Sequence, residues 1–479
     1  MSDPAVAFKA LDELLALAGA PDRQSVRLEA GPPLLKTRFF AEEAAAATLA
    51  AGGVLAARLC EAPEQQTQTV TVSTREAGAN LMGFTLQTFD DPALAPSLER
   101  PATARATPAE GFFEAGDGRR VYLHPSFPPS AAKLHALMGA PQDREAAALA
   151  VKAHTGQALE DRIAEAGVCG GLVRTPEEWD ASPQGKILAT RPIVEVVRIG
   201  PSAPMPLRRE REAPLSGVRV LDLTRVLAGP TCARTLAQYG AEALYITAPD
   251  LPTVPLFVAD TNPGKRSAFL DLKTEEDRQR LLDLIAEADI FAQGYRGGAL
   301  DRLGLSPVEL AALRPGLIYV SINCYGHEGP WQTRPGWEQL AQTVTGLAHL
   351  HGQHLHGAHG PPRLQPAAVC DYTTGFLAAF GALIALQRRA IYGGSYLVRV
   401  SLVQTAVWLR SLGLAPAERL DATRALDPSE LAAWRIRGET GYGGVHRLRP
   451  AVQMAATPTR WREPLARLGA HPPAWATAP

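Results

Sequence analysis

A single carboxylate at the start of a long apolar segment is the residue best suited to chemistry. Asp371 lies in CDYTTG (370–375), which leads into the Ala-rich stretch 376–389. That stretch predicts a helix, and Asp371 or Thr373 could cap its N-terminus. The positive end of the helix dipole would stabilise the Asp371 carboxylate, whether it only caps the helix or also reacts.

Two further groups of residues could bind ligands. The turn 262–267 (NPGKRS) presents Lys265 and Arg266, which suit phosphates but are also common on ordinary surface turns. Five histidines lie within 348–360, but they lack the carboxylate and the helical spacing of catalytic zinc motifs. Flanking glycines and Pro361-Pro362 predict a flexible loop there. We therefore expect no metal site.

Composition excludes several classes of protein. The 48 basic and 49 acidic residues balance, so neither nucleic acid nor an anionic membrane is expected as a partner. The first thirty residues lack a secretory signal, and the longest apolar run, 375–386, is too short to span a bilayer. The 5 cysteines form no CxxC pair, which disfavours disulfides and zinc. A soluble cytoplasmic protein is expected.

The elements that must position Asp371 begin at Gly217. Apolar strands at 218–223, 242–247, 267–272, 290–292 and 317–322 alternate with helices. This pattern predicts an α/β fold with a Rossmann-like doubly wound parallel sheet. Ligands of such sheets bind at the carboxyl ends of the strands, here 225–230, 293–298 and 324–330. The first of these turns has Gly229-Pro230 instead of GxGxxG, and neither a P-loop nor GxSxG occurs.

The remaining chain divides into smaller parts. We expect an N-terminal helix–strand segment (1–106), a small α+β domain (107–206), the Rossmann-like domain (207–415) and a closing segment (416–479), with linkers at 90–107 and 201–215. A shift of 328 residues aligns an Ala-rich helix and a VxVS strand in the first and third parts. This repeat places Glu43 opposite Asp371. Because Glu43 lacks neighbouring Gly and Thr, we expect a solvated helix start.

Five segments in order resemble the class III CoA-transferases, which include formyl-CoA and carnitine CoA-transferases and α-methylacyl-CoA racemase. They are VRVLDLTRVLAGPTCARTLAQYGAEALYI, NPGKRSAFLDL, ADIFAQGYRGGALDRLGL, SINCYGHEGPW and CDYTTGFLAAFGALIALQRR. Residues 35–200 are similar to the later half of the family, so the small domain precedes the Rossmann-like domain. The order indicates a permuted arrangement or a degenerate tandem. Family members form interlocked dimers, so one chain here could supply elements normally given by two.

The resemblance implies roles for particular residues. Asp371 matches the catalytic aspartate that forms a covalent acyl intermediate. The matched CoA positions and the glycine loop thought to face the oxyanion are Val226, Ala228, Lys265, Arg266, Arg302 and Gly326. Acyl-CoA and a carboxylic acid are the implied substrates, no cofactor is bound permanently, and a homodimer is the default. Aromatic residues of the small domain are expected to face the acyl group: Phe112, Phe113, Tyr122, His124 and Phe127.

Departures from the family keep two alternatives open. Gly294 stands where the family usually has Asn, and Ala248–Pro252 replaces a charged stretch. The racemase branch has a His after the glycine loop, whereas this chain has Gly336-Trp337-Glu338. A racemase-like enzyme acting at the α-carbon is therefore an alternative. The other is a non-catalytic CoA-binding subunit or scaffold, which the rearranged N-terminal half motivates.

Overall fold

The computed structural model describes residues 2–20, 23–60, 68–91, 109–125, 127–141, 143–207 and 212–476. Most of the first predicted linker and part of the second lie outside these residues. The helices in chain order are α1 (Pro4–Leu17), α2 (Ala41–Cys60), α3 (Thr74–Asn80), α4 (Pro128–Leu137), α5 (Arg144–Lys152), α6 (Gly156–Glu165), α7 (Pro176–Ala181), α8 (Pro183–Leu188), α9 (Ala228–Gln238), α10 (Pro255–Thr261), α11 (Glu275–Ala286), α12 (Pro307–Leu313), α13 (Glu338–Val344), α14 (Leu347–His356), α15 (Val369–Tyr392), α16 (Leu402–Ser411), α17 (Arg419–Ala422) and α18 (Pro428–Trp434).

The strands form four sheets. In chain order they are β1 (Val26–Glu29), β2 (Val70–Ser73), β3 (Thr88–Phe89), β4 (Gly111–Glu114), β5 (Arg120–Leu123), β6 (Gly170–Leu172), β7 (Glu195–Gly200), β8 (Arg219–Leu223), β9 (Glu242–Thr247), β10 (Lys265–Phe269), β11 (Ile290–Gln293), β12 (Ile318–Asn323), β13 (Ser395–Ser401), β14 (Arg435–Thr440), β15 (Gly443–Leu448) and β16 (Val452–Met454).

The largest sheet has seven strands in the order β10-β9-β8-β11-β12-β13-β7. All neighbouring pairs are parallel except β13 with β7. Helices cover both faces, so the central strands are apolar and buried on both sides. The predicted α/β doubly wound fold is confirmed. The strand order reverses between β8 and β11, and ligands of such sheets bind in the crevice at that point.

A small α+β module covers one end of this crevice. Strands β4, β5 and β6 form an antiparallel sheet, and α5 and α6 pack on it around a separate hydrophobic core. The chain then passes through α7 and α8 to β7. Although β7 falls inside the predicted small domain, it pairs with β13 and so belongs to the large sheet. The domain boundary predicted from the sequence differs from this pairing because an antiparallel strand can join the edge of a sheet after a connection of any length.

The predicted repeat has a counterpart in the packing. Helix α2 precedes β2 as α15 precedes β13, and the two helices pack against each other. A Cβ added to Gly53 would lie 2.7 and 2.9 Å from side-chain atoms of Val70 and Val452. A Cβ added to Gly381 would lie 2.5 and 2.7 Å from Val398 and Val194. Each glycine therefore allows its helix to approach its own strand and a segment from elsewhere in the chain, β16 for Gly53 and the residue before β7 for Gly381.

Strands are exchanged between the two units. The N-terminal unit pairs β2 with β1 in parallel and with β16 in antiparallel, and β16 comes from the end of the chain. The large sheet pairs β13 with β12 in parallel and with β7 in antiparallel, and β7 comes from before that sheet. Each unit is thus completed by a strand that follows the other unit's helix–strand pair.

Three local expectations were wrong. Helix α15 begins at Val369, so Asp371 lies inside its first turn and does not cap it. Residues 347–356 form a helix where a flexible loop was expected, because their apolar residues pack on the main core. Glu43 is fully buried rather than solvated, since its carboxylate forms an ion pair of 2.7 Å with Arg419.

Two helices are long and apolar enough to cross a membrane. In α2 and α15, 83% and 94% of the most apolar window is buried inside the protein. At 24 residues, α15 is also longer than the apolar run recognised in the sequence. Burial of this extent is the property of core helices, and the test by length and composition is weak evidence for a membrane span.

Candidate active site

A cavity of about 380 Å³ opens at the point where the strand order reverses. The turn after β8 contributes Arg225–Gly229, and the turn after β11 contributes Gly294–Arg296. Other walls come from Phe127 and Cys169 of the small module. Asp371 lies on the wall formed by α15, together with the segment 332–337. The fold therefore brings the predicted nucleophile to the expected ligand-binding edge.

Glu338 caps the helix that carries Asp371. Its carboxylate accepts the backbone N–H of Cys370 at 3.1 Å and that of Asp371 at 2.5 Å. The helix has no side-chain cap of its own, so Glu338, the first residue of α13, satisfies these otherwise orphaned donors. Gln342 donates a further hydrogen bond to Glu338. Asp371 is thus held by a second carboxylate supplied from another element.

Burial and the neighbouring Glu338 raise the proton affinity of Asp371. Burial raises the pKa of Asp371 well above its usual range, and the nearby Glu338 charge adds to this. Burial also raises the pKa of Glu338, but its three hydrogen-bond donors oppose the shift. Two groups coupled this closely titrate as a pair. The hydrogen bonds to Glu338 favour a negative charge there, and burial beside Glu338 favours the protonated form of Asp371.

The next residue fixes the helix from its opposite side. The Tyr372 hydroxyl donates to Asp260 at 2.7 Å and accepts the Phe84 N–H at 3.1 Å. Asp260 also pairs with Arg234 of α9 at 3.0 Å. All three polar side chains are buried, so the network is held by its own contacts. It joins α15 to α9, α10 and the N-terminal unit.

The turn after β8 is strained where it meets the cavity. Val226 has φ = 70°, a left-handed conformation that is rare for a β-branched residue. Helix α9 then begins at Ala228 without a side-chain cap. Its first amides and its positive dipole end lie on the cavity wall, an arrangement that suits an anion or a developing oxyanion.

Segment 331–338, which ends at Glu338, contacts the small module. Arg334 stacks over the Trp331 ring at 4.3 Å, and Trp331 packs against Trp179 at 5.7 Å. Trp337 contacts Phe127 at 5.5 Å across the cavity wall. These aromatic contacts immobilise the segment that carries both Arg334 and Glu338.

Three of the predicted site residues line the cavity: Asp371, Val226 and Ala228. Of the aromatic residues expected to face the acyl group, Phe127 lines the cavity. Phe112, Tyr122 and His124 stack on one another in the small module, and Phe113 lies in its core. The sequence feature that distinguishes Phe127 from the other four residues is its position beyond β5, the second strand of the β4–β5 hairpin.

Lys265 does not face the cavity. Its side chain is fully buried, where the ammonium group pairs with Asp222 at 2.7 Å and donates to the Pro230 carbonyl at 2.8 Å. Asp222 lies in the middle of the large sheet, on β8. In this conformation the Lys265 ammonium group is directed away from the cavity, and it holds the first turn of α9 through the Pro230 carbonyl.

Three other predicted ligand contacts also lie elsewhere. Arg266 donates to the Ala474 carbonyl at 2.8 Å, so it holds the closing segment. Arg302 is exposed on a short 3-10 turn outside the cavity wall. A Cβ at Gly326 would lie 2.5 Å from Leu188, so the glycine loop packs on α8. Their assignment as CoA contacts stays a prediction from the family resemblance.

The sequence analysis placed Arg225 and Arg296 in turns expected to bind ligands, but it did not identify four residues of this site individually. Glu338 was noted as the replacement for a histidine, and Arg225, Arg296 and Arg334 were not singled out as ligand contacts. The signal for Arg225 and Arg296 was their place in turns at the carboxyl ends of β8 and β11. No pattern in the sequence pointed to Arg334, because its position depends on stacking with Trp331.

The described lining residues include no histidine. His327 donates to or accepts from Ser321 at 2.9 Å, and burial lowers its pKa to about 3. It lies in a separate small pocket near Arg191. In the described part of the chain, no group of three or more His, Cys, Asp or Glu could hold a metal ion.

Comparison with known proteins gives a consistent family. The model of CoA-transferase family III matches residues 8–198 and 215–430. The chain is 38% identical over 262 residues to the acetyl-coenzyme A transferase nodX of Hypoxylon pulicicidum, covering 51% of this chain and 43% of that protein. It is 32% identical over 220 residues to a formyl-CoA:oxalate CoA-transferase of Escherichia coli, covering 43% and 52%. The chain thus spans about half the length of the curated relatives it matches.

Solved structures match only part of the chain. The crystal structure of Rv3272 from Mycobacterium tuberculosis is 31% identical, with a TM-score of 0.38, covering 42% of this chain and 58% of that one. A CAIB/BAIF family protein from Brucella suis is 26% identical, with a TM-score of 0.37, covering 49% and 65%.

Proposed function

The chain belongs to CoA-transferase family III, and on that premise we propose that it moves CoA from an acyl-CoA donor to a carboxylic acid acceptor through a covalent intermediate on Asp371. The observation that carries the proposal is the placement of Asp371 on the wall of the switch-point cavity, with Glu338 bound to its backbone N–H. Acyl-CoA and the acid are substrates, and the proposal requires no permanently bound cofactor.

In the first half of the reaction, the Asp371 carboxylate attacks the thioester carbonyl. The carbon–sulfur bond breaks, CoA leaves as the thiolate, and an acyl–aspartyl anhydride remains. The thiolate then attacks the Asp371 carbonyl of this anhydride and releases the donor acid. The product is a thioester between Asp371 and CoA, so the energy of the original thioester is conserved.

In the second half, the acceptor carboxylate attacks the aspartyl thioester. CoA leaves again, and its thiolate attacks the acceptor carbonyl of the new anhydride. This step frees Asp371 and forms the product acyl-CoA. Each attack develops an oxyanion, and we assign its stabilisation to the first amides of α9, at Ala228 and Gly229, which line the cavity. The N–H groups of Cys370 and Asp371 already bind Glu338 and are not available.

Asp371 has to lose its proton before it can attack. Because burial and the Glu338 charge both favour the protonated form, the reactive state has the proton on Glu338 or released to solvent. Arg225 and Arg296 line the same cavity and suit the CoA phosphates.

The α-carbon racemase alternative is not favoured, since the described lining residues include no imidazole to move the α-proton. The scaffold alternative does not account for a buried, paired carboxylate beside the cavity. We also propose a cytoplasmic homodimer, supported by the family resemblance and by the five cysteines, which all lie in the described residues and form no disulfide. Both the small module and the large sheet of this one chain contribute walls to the cavity.

The test is a transfer assay with a panel of acyl-CoA donors and acids, followed by separation of the CoA products. We expect CoA transfer with at least one pair, and loss of at least about 1,000-fold in Asp371→Asn because the nucleophile is gone. The control is Asp283→Asn, an exposed carboxylate on α11. Equal activity of Asp371→Asn and the wild type would contradict the proposal.

A further inference from the structure

The turn after β11 is tied to the large sheet by the side chain of Gln293. This residue is the last of β11, and its Oε1 accepts the Tyr295 N–H at 2.7 Å. Gly294, Tyr295 and Arg296 of the turn line the cavity. Because Gly294 has no side chain that could hold the turn, the orientation of the Gln293 amide group helps to set where the turn lies.

That orientation is set by a neighbouring residue on β12. A backbone N–H can only donate, so the Gln293 atom that receives the Tyr295 N–H must be the amide oxygen. The amide nitrogen then donates to Ser321 Oγ, which lies 2.8 Å away. Ser321 is the register partner of Gln293 in the parallel pair of β11 and β12. Both side chains are buried, so a donor left without an acceptor here would be costly.

The hydroxyl group of Ser321 in turn requires an acceptor for its own proton, because its oxygen already accepts from Gln293. Nε2 of His327 lies 2.9 Å from it and is its other partner within the described part of the chain. A ring nitrogen can accept only when it carries no proton. Burial and the Arg399 charge lower the pKa of His327 to about 3, so its ring is neutral near pH 7. The single ring proton therefore lies on Nδ1.

His327 reaches back to β12 because the loop that carries it is held on two sides. The Asn323 side chain accepts the Gly326 N–H and donates to the Gly326 carbonyl, both at 2.8 Å. Gly326 has φ = 91°, in the left-handed region that favours glycine. On the other side, the fully buried Gln184 donates to two carbonyls of the same loop at 2.8 Å. The loop thus presents His327 to the strand as a fixed acceptor.

From these contacts we infer that Ser321 and His327 are positioning residues for the CoA thioester. With its proton on Nδ1, His327 orients Ser321, Ser321 orients Gln293, and Gln293 holds the turn 294–296 at the cavity. The inference rests on the transfer reaction proposed above, in which Arg296 of this turn suits the CoA phosphates. Ser321 and His327 are not among the described lining residues, so they act on CoA affinity through the turn and not on bond formation.

The first test is calorimetric titration of the protein with CoA itself. Ser321→Ala and His327→Leu should each raise the Kd for CoA by about 3- to 10-fold, because one hydrogen bond of the chain is lost. His327→Gln should recover most of the affinity, since its amide oxygen can accept the Ser321 proton. The matched control is Ser411→Ala, which removes a hydroxyl bonded to the Trp408 carbonyl at 2.7 Å near the end of α16. This control should bind CoA as the wild type does.

Steady-state kinetics and the ring proton provide two further readouts. The KM for acyl-CoA should rise in parallel with the Kd in Ser321→Ala, while kcat changes by less than about 2-fold. Nitrogen-15 NMR of the imidazole should show the proton of His327 on Nδ1 in the wild type, with the signal assigned by its loss in His327→Gln. Ser321→Ala should lose this preference, whereas a residue that only supports packing would leave the ring proton where it is.

Several results would overturn the inference. They are a wild-type His327 with its proton on Nε2, a Kd for CoA that is unchanged in both Ser321→Ala and His327→Leu, and no binding of CoA by the wild type. If the transfer proposal fails but this inference holds, CoA binds and the variants weaken its binding although no acid receives CoA. If the inference alone fails, transfer proceeds and Ser321→Ala keeps the KM of the wild type.

Discussion

The pair formed by Asp371 and Glu338 explains how a core helix can carry a reactive carboxylate. The oxygen atoms that cap helix α15 belong to Glu338 of α13, and the first residues of α15 provide no side-chain cap. Placing two carboxylates close together in a buried site costs free energy, which a protein accepts at functional sites. The sequence showed Asp371 and its Gly-rich surroundings. It could not show Glu338, because the pairing joins residues 33 apart through tertiary structure.

The raised pKa of Asp371 predicts how stability depends on pH. The folded state holds the proton more tightly than the unfolded chain, whose Asp titrates near 4. The free energy of unfolding is therefore reduced as pH rises above about 4, until the folded group also ionises. Asp371→Asn removes this cost. The variant should gain stability over the wild type as pH increases, by about 1.4 kcal/mol for each unit of pKa shift.

The measurement is thermal unfolding of both proteins between pH 5 and pH 9. The gap in melting temperature should widen with pH, while Asp283→Asn, an exposed change, should show a constant gap. A gap for Asp371→Asn that does not change with pH would mean that the carboxyl titrates normally in the folded protein.

At the scale of elements, the site depends on the close approach of α9 and α15. A Cβ at Gly375 would lie 2.5 Å from the Ala228 carbonyl and 2.6 Å from Thr231 Cβ. The Ala228 carbonyl and the Thr231 Cβ are attached directly to the backbone of α9, so neither can move away unless that helix moves. Glycine at 375 thus sets the distance between the turn 225–229 and Asp371.

Gly375→Ala should separate these helices. We expect a loss of about 1 to 3 kcal/mol in the free energy of unfolding, because overpacking forces backbone shifts. Transfer activity should fall as well, since α9 carries one wall of the cavity. The matched control is Gly52→Ala on α2, where the nearest atoms are at 3.4 and 4.0 Å. Unfolding in denaturant provides the measurement, and equal behaviour of the two variants would contradict this account.

The elements show which features a sequence can predict. Strand–helix alternation after Gly217 predicted the large sheet, since buried parallel strands read as continuous apolar runs. The switch-point cavity followed from topology. The sequence did not predict the edge strand β7, because an edge strand may come from any part of the chain. It did not predict the burial of Lys265 either, because a lysine in a surface turn and a buried lysine cannot be told apart from the residue type alone. The fate of Glu43 was missed for a similar reason: its partner Arg419 lies 376 residues away.

At the scale of the whole molecule, the chain contains two versions of one helix–strand unit with exchanged strands. The unit with α15 carries Asp371 on an open cavity. In the unit with α2, Glu43 occupies the related place but is buried against Arg419. The neighbouring Glu42 is also buried, and burial raises its pKa to about 7. The unit with α2 therefore keeps the packing of the unit with α15, but the carboxylate at its corresponding position is buried in an ion pair with Arg419.

The most direct measurement of the central claim is the mass of the protein after brief mixing with acyl-CoA, with hydroxylamine as the trap. We predict one modification per chain, located on the peptide that contains Asp371 and absent from Asp371→Asn. The peptide with Glu43 should stay unmodified. A modification at Glu43, two modifications per chain, or transfer of CoA with Asp371 unmodified at every time would contradict covalent catalysis by Asp371 as described.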